Sequence, residues 1–278
     1  MSIRRLFTRR KKVPFAEWGF QIQDFRLPAE GRVQFAKWLH PYDRAAPIAQ
    51  AEVDGLRQFI RPGDFAIDVG AHCGDTTVPM ALAAGRGGCV LALEPNPYVF
   101  KVLRMNAGLN PALTRIVPEC VAATERDGAS VFQYSDASYC NGGGGTKWWL
   151  RPFKRTFPLS VVGRNLMRML QQEYAQWLPR LSYVKVDAEG YDRVVLESIA
   201  PLLRHYQPVV RTEVFRKLGR AERRRLYDLL AGCGYHVHRF VGGAEPCGPR
   251  IERDGMSAER HFDVLALPRE RRSLSRAA

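Results

Sequence analysis

The sequence predicts an α/β protein: a parallel sheet with helices on both faces, preceded by a small β-rich extension. Three observations carry that prediction. Phe65-Ala-Ile-Asp-Val69 reads as a buried strand that runs through a glycine turn into a helix from Thr76 to Ala84. A second apolar strand, Gly88-Cys-Val-Leu-Ala-Leu-Glu94, follows directly. Beyond it, strand-like and helix-like stretches keep alternating to Leu267. Strands joined through helices pair in parallel, and the helices must cover the sheet. With 278 residues, 46% hydrophobic and 25% charged, the chain has an ordinary globular composition and is long enough for a full core.

Taken in order, residues 1–12 form a basic, flexible tail: six Lys or Arg and no acid. Residues 13–45 are rich in aromatics (Phe15, Trp18, Phe20, Phe25, Phe35, Trp38, Tyr42), with Gly31 marking a hairpin turn, and form the N-terminal extension. The main domain is assigned to residues 46–268. Ala49 to Ile60 is its first helix, with Val53, Leu56 and Ile60 on one face. After Glu94, Pro95-Asn96-Pro97 opens a helix with proline in its first turn. Arg115 to Ala123 reads as one short strand and Val131-Phe-Gln-Tyr134 as an extra one. Gly142 to Gly145, followed by Trp148, Trp149 and Phe153, suggests either a flap over a substrate or a surface loop anchored by tryptophans. Tyr183 to Asp187 is the fourth strand, leading to a helix with Val195, Ile199, Leu202 and Leu203 inward. Pro208 to Phe215 is the fifth. A basic helix follows, with Arg220, Arg223, Arg224 and Arg225 outward, then two closing strands at 235–240 and 261–267. Residues 269–278 are a second basic tail.

The formal charge is +14, of which the two tails supply a net six and a net three, leaving +5 for the body. Such tails suit an anionic partner such as nucleic acid, lipid headgroups or an acidic glycan, or serve only solubility. No run of 18 apolar residues and no signal-peptide core occur, so a cytoplasmic location is the default expectation. Six scattered cysteines without a C-x-x-C pair argue for buried thiols, and against a zinc site or a disulfide framework.

The strand, glycine turn and helix at 65–84 aim backbone N–H groups at a ligand. Glu94, 20 residues after Gly74, has the spacing of a ribose-binding carboxylate. Those two pieces leave a nicotinamide dinucleotide open, although the glycines fall as G-x-x-x-G rather than G-x-G-x-x-G. The order D-V-G-A-H-C-G-D-T, L-E-P-N-P, V-K-V-D-A-E-G-Y-D, T-E-V-F resembles the FkbM-family methyltransferases, which use S-adenosylmethionine (SAM). The resemblance spans roughly residues 50–268. It departs from the family pattern at His72, where the family usually shows Asn. It implies a Rossmann-like, doubly wound class I fold of seven strands with the seventh antiparallel, and O-methylation of a sugar, glycan or polyketide-like hydroxyl. It places the SAM site at Asp68, Gly70, His72, Gly74, Thr76, Glu94, Pro95, Asn96, Ala122 and Asp187.

Methyl transfer from a sulfonium needs alignment first, because the cofactor carries its own activation. An alcohol also needs somewhere to send its proton. Asp187 and Glu189 are the candidate catalytic carboxylates, Asp187 alternatively holding the SAM amino group. Lys185 is expected to pair with Glu189 or Glu213, and His72 is a further candidate base. A Mg²⁺ held by Asp187, Glu189 and Glu213 is an alternative. An RNA methyltransferase, suggested by the basic helix and tails, and a non-catalytic SAM-binding module are the competing functions.

Overall fold

The computed structural model describes residues 16–41, 43, 47–134 and 157–270. The tails at 1–12 and 271–278, and the glycine–tryptophan stretch at 142–153, lie outside the described residues. The centre is one sheet with parallel strands β3 (Phe65–Val69), β4 (Cys89–Leu93), β5 (Ile116–Glu119), β9 (Leu181–Val186) and β10 (Val209–Val214). Antiparallel β13 (Phe262–Pro268) is inserted between β10 and β11 (Tyr235–Phe240). The order β5-β4-β3-β9-β10-β13-β11 is the expected seven-strand arrangement. An eighth strand, β12 (Cys247–Arg250), lies between the two closing strands in sequence and is added at the edge.

Helices cover both faces, and the two-residue period of the strands shows it. In β3, Phe65, Ile67 and Val69 face one core, shared with α4 (Leu166–Glu173), α5 (Asp192–Ser198), α6 (Ala200–Tyr206) and α7 (Arg220–Gly232). Ala66 faces the other, shared with α1 (Gln50–Arg57), α2 (Thr77–Ala84) and α3 (Pro97–Leu109). Every residue of α2 is buried, so this helix has no polar stripe.

The N-terminal segment forms a hairpin, β1 (Phe20–Leu27) and β2 (Gly31–Trp38), turning at Gly31 with φ +74°. A side chain does the work of a strand partner against it. Asn106 Oδ1 accepts the Ala36 N–H (2.6 Å), while Asn106 Nδ2 donates to the Ala36 carbonyl (3.0 Å) and the Cys73 carbonyl (2.7 Å). Asn110 repeats the exchange with Gln34. One buried amide thus joins the hairpin, α3 and the glycine loop.

Four local expectations are corrected. The strand expected at 115–123 is two: β5 stays in the main sheet, and β6 (Ala122–Thr124) joins β7 (Gly128–Tyr134) and β8 (Phe157–Asn165) in a second, three-stranded sheet. Pro118 fits β5 because this is an edge strand. β8 itself was not foreseen. The helix expected after β9 breaks at Ile199 into α5 and α6, because Pro201 cannot donate to the preceding turn. Finally, Arg223 does not face outward. It is 5% exposed, and its guanidinium donates to the carbonyls of Phe215, Leu218, Met256, Glu259 and Arg260. Among the described residues no helix is long and apolar enough to cross a membrane.

Candidate active site

The strand order reverses between β3 and β9, and their carboxyl ends flank a crevice where open α/β sheets bind ligands. Backbones meet closely there. Gly70 has φ +79°, and a Cβ on it would lie 2.0 Å from the Asp187 carbonyl oxygen. The Asp187 N–H in turn donates to the Val69 carbonyl at 2.9 Å. Above this junction opens a cavity of ≈ 340 Å³. Of the residues expected from sequence, Gly70, His72, Thr76, Glu94, Pro95, Ala122, Asp187 and Glu189 line it.

Asp68, Gly74 and Asn96 do not reach its wall, and each has a local task instead. Asp68 is fully buried beneath the loop, accepting from Thr76 Oγ1 (2.9 Å), Thr77 Oγ1 (2.7 Å) and Lys185 Nζ (3.1 Å). Gly74, at φ +93°, passes under Leu103, whose Cδ1 would be 3.0 Å from an added Cβ. Asn96 caps α3 by accepting the Tyr98 N–H at 3.0 Å.

Glu94 ends β4 and is nearly buried, yet faces the cavity. One oxygen accepts the His72 N–H (2.9 Å) and the other the Asn96 N–H (2.8 Å). Burial raises its carboxyl above the usual range, opposed by His72 and by those two N–H groups. Both oxygens keep acceptor capacity for a diol. His72 holds a left-handed backbone, φ +50°, where Asn is well tolerated. Its ring meets the Trp38 ring edge-to-face at 5.5 Å.

The opposite wall comes from β9, β10 and the turn after β9. Lys185 is 5% exposed, its Nζ 3.1 Å from Asp68, 3.3 Å from the Gly70 carbonyl and 3.7 Å from Asp187. Its expected partners Glu189 and Glu213 are therefore replaced by Asp68 and Asp187. Burial alone would depress the ammonium, but the two carboxylates more than offset this and hold it above the ordinary lysine value. The Asp187 side chain is 44% exposed. Glu189, at φ +51°, is pushed up to about 7 by burial and by Asp187. Asp192, fully buried, is pushed up to about 7 by the same two causes. It accepts the Ala188 and Gly190 N–H groups (3.3 and 3.0 Å) and the Thr212 hydroxyl (3.2 Å), which fixes the turn. Glu213 is raised furthest, by burial and then by Asp187, Asp192 and Glu189, with His261 Nδ1 3.3 Å from its Oε1.

Among the described residues, Asp187, Glu189 and Glu213 do not bring their oxygens together as one metal-ligating group. Sequence reasoning passed over several cavity residues: Arg211, Tyr191, Phe132 and Tyr134. The last two had a signal, since alternate residues of a strand share a face.

Together, this strand order and the strand-end carboxylates around the glycine loop at the switch point are those of the class I methyltransferase fold. The model of the methyltransferase FkbM domain matches residues 68–237, well over half of the chain, and the chain belongs to the FkbM methyltransferase family. No curated protein matches the sequence. Among solved structures, the FkbM methyltransferase from Methylobacillus flagellatus is 14% identical with a TM-score of 0.43, the match covering 78% of this chain and 51% of that one. This chain thus spans about half of that relative. The SAM-dependent O-methyltransferase from Thermotoga maritima is 11% identical, TM-score 0.44, covering 90% and 78%. The O-methyltransferase from Bacillus cereus, solved with S-adenosylhomocysteine, is 14% identical, TM-score 0.43, covering 81% and 84%.

Proposed function

We propose that this methyltransferase uses SAM to methylate a hydroxyl of a sugar, glycan or polyketide-like small molecule. The observation that carries this reading is the convergence of Gly70, Glu94, Asp187 and Glu189 on one cavity at the strand switch point. The residues fit the cofactor. Glu94 offers its carboxylate to the ribose hydroxyls, Val121 and Ala122 an apolar strip to the adenine, and Asp187 a carboxylate to the amino group. When bound, SAM supplies a methyl group activated on a sulfonium.

The chain's remaining task is the acceptor proton. In this reading Glu189 takes it, since a carboxylate poised near neutrality both holds and releases a proton at working pH. Asp187 is bound to the main-chain junction through its N–H and sets where that exchange takes place. Of the two features that suggested RNA, the tails lie almost wholly outside the described residues, and the helix presents less free charge than its sequence suggests. Arg223 is internal, Arg220 and Arg224 face Asp254, and Arg225 pairs with Glu222.

The test is a radiolabelled methyl-transfer screen over glycan, lipid and RNA fractions, repeated with amide variants on the acceptor found. Glu189→Gln should lower turnover on the order of 10²–10⁴-fold with SAM affinity near wild type. Asp187→Asn should lower SAM affinity and turnover together. Wild-type turnover in both variants at saturating SAM removes the carboxylates from the mechanism, and transfer to RNA alone overturns the acceptor class.

A further inference from the structure

Beside the candidate cofactor cavity, the structure gathers three donors of different kinds. The carboxylate of Asp43, the imidazole of His72 and the thiol of Cys73 place their ligating atoms all within 4.8 Å of one another. They come from two separate segments: Asp43 follows the β1–β2 hairpin, and His72 and Cys73 are consecutive in the glycine loop. We propose that these three side chains form a zinc-type divalent metal site whose open position faces the cavity.

The donor set selects the class of ion. A thiolate and an imidazole suit zinc or its cobalt surrogate, whereas magnesium and calcium require several oxygens and find one side chain offering them here. Ligand bonds of about 2.0–2.3 Å put tetrahedral donors about 3.3–3.8 Å apart, so the present spread closes by at most about 1.5 Å. The charges also balance. One carboxylate and one thiolate neutralise a divalent cation, leaving no net charge in a mostly buried place.

Three protein ligands with a fourth position open is the pattern of reactive zinc rather than of a closed structural site. The burial supports that orientation: Cys73 is fully buried behind the wall, while Asp43 and His72 both line the cavity. The surroundings hold the ligands in register. Trp38 packs edge-to-face on the His72 ring, Glu94 accepts the main-chain N–H of His72, and Asn106 Nδ2 donates to the Cys73 carbonyl at 2.7 Å. Such outer contacts fix ring and loop orientation in metal sites. Sequence alone argued against zinc, because it offered no C-x-x-C pair. The third ligand comes from a segment about 30 residues away along the chain.

The test uses the full-length protein stripped with a chelator and titrated with zinc chloride by calorimetry, without SAM or acceptor. One equivalent should bind. Cobalt(II) in its place should give a thiolate charge-transfer band with visible bands of tetrahedral intensity. Cys73→Ser should remove that band, and His72→Asn should weaken zinc about a hundredfold or more. Asn suits the left-handed backbone at position 72, so this variant keeps the loop fold, which circular dichroism checks. Absence of zinc binding, equal zinc affinity in wild type and His72→Asn, or a cobalt spectrum lacking the thiolate band overturns the proposal. SAM binding measured on the same stripped protein separates the two readings, because retained SAM affinity without zinc affinity overturns this inference alone.

Discussion

The two walls of the cavity, each taken with the buried layer behind it, use carboxylates in opposite ways. On the β3–β4 side, Asp68 and Glu94 are held in place by donors: two hydroxyls and an ammonium for one, two backbone N–H groups for the other. On the β9–β10 side, Asp187, Glu189, Asp192 and Glu213 crowd one another, and three of the four are pushed toward holding protons. The first wall is built like a ligand cradle, with its geometry fixed before anything binds. The second combines burial, the larger cause, with like-charge repulsion, the arrangement that tunes groups for proton exchange.

The largest expected effect comes from the ion pair that ties the second wall to the first. Lys185→Met leaves Asp68 buried without its cation and should cost about 3–5 kcal/mol of stability, read by chemical denaturation. A loss below about 1 kcal/mol would show that the hydroxyls of Thr76 and Thr77 suffice, and that the wall is less rigid than its bonds suggest. Next comes Glu94→Ala, which should weaken SAM by about 1–3 kcal/mol in calorimetry. Unchanged affinity would move the ribose elsewhere, and tighter binding of NAD than of SAM would remove the cofactor assignment.

The smallest effect sharpens the second wall. The carboxyl of Asp192 is near 7 when folded and near 3.8 as an isolated aspartate. Between those values the folded chain binds more protons than the unfolded one, so stability falls as pH rises from about 4 to about 7. Asp192→Asn should remove that slope, a difference from wild type on the order of 1–3 kcal/mol between the two ends. Parallel pH profiles for the two proteins would show that the turn relaxes and the crowding is not felt.

Much of this was readable from residues alone. Strand and helix succession, the glycine junction at Gly70 and the strand-end acids followed from periodicity and spacing, because both depend on neighbours in sequence. What could not be read depended on partners far along the chain. Lys185 looked like a partner for nearby acids, but the register of β3 against β9 sets it opposite Asp68. Arg223 sits in an otherwise solvent-facing run of arginines, and carbonyls at 215–218 and 256–260 turn it inward. Asp68 itself was assigned to the ligand and instead holds the loop from beneath.

The place of β13 has a consequence for how the molecule is made. The last strand in chain order among the described residues enters between β10 and β11 rather than at an edge. During synthesis, β11 and β12 emerge before the strand that attaches them to the rest of the sheet. Until residues 262–268 leave the ribosome, Arg211 has no Asp263 to meet, and β10 presents an open, unpaired edge. A ribosome that stalls or terminates before residue 262 would therefore release a chain with a gap inside its sheet, not one with a shortened rim. Such a product would expose two sticky edges at once, and quality-control proteases should clear it rather than let it accumulate as a weakened enzyme.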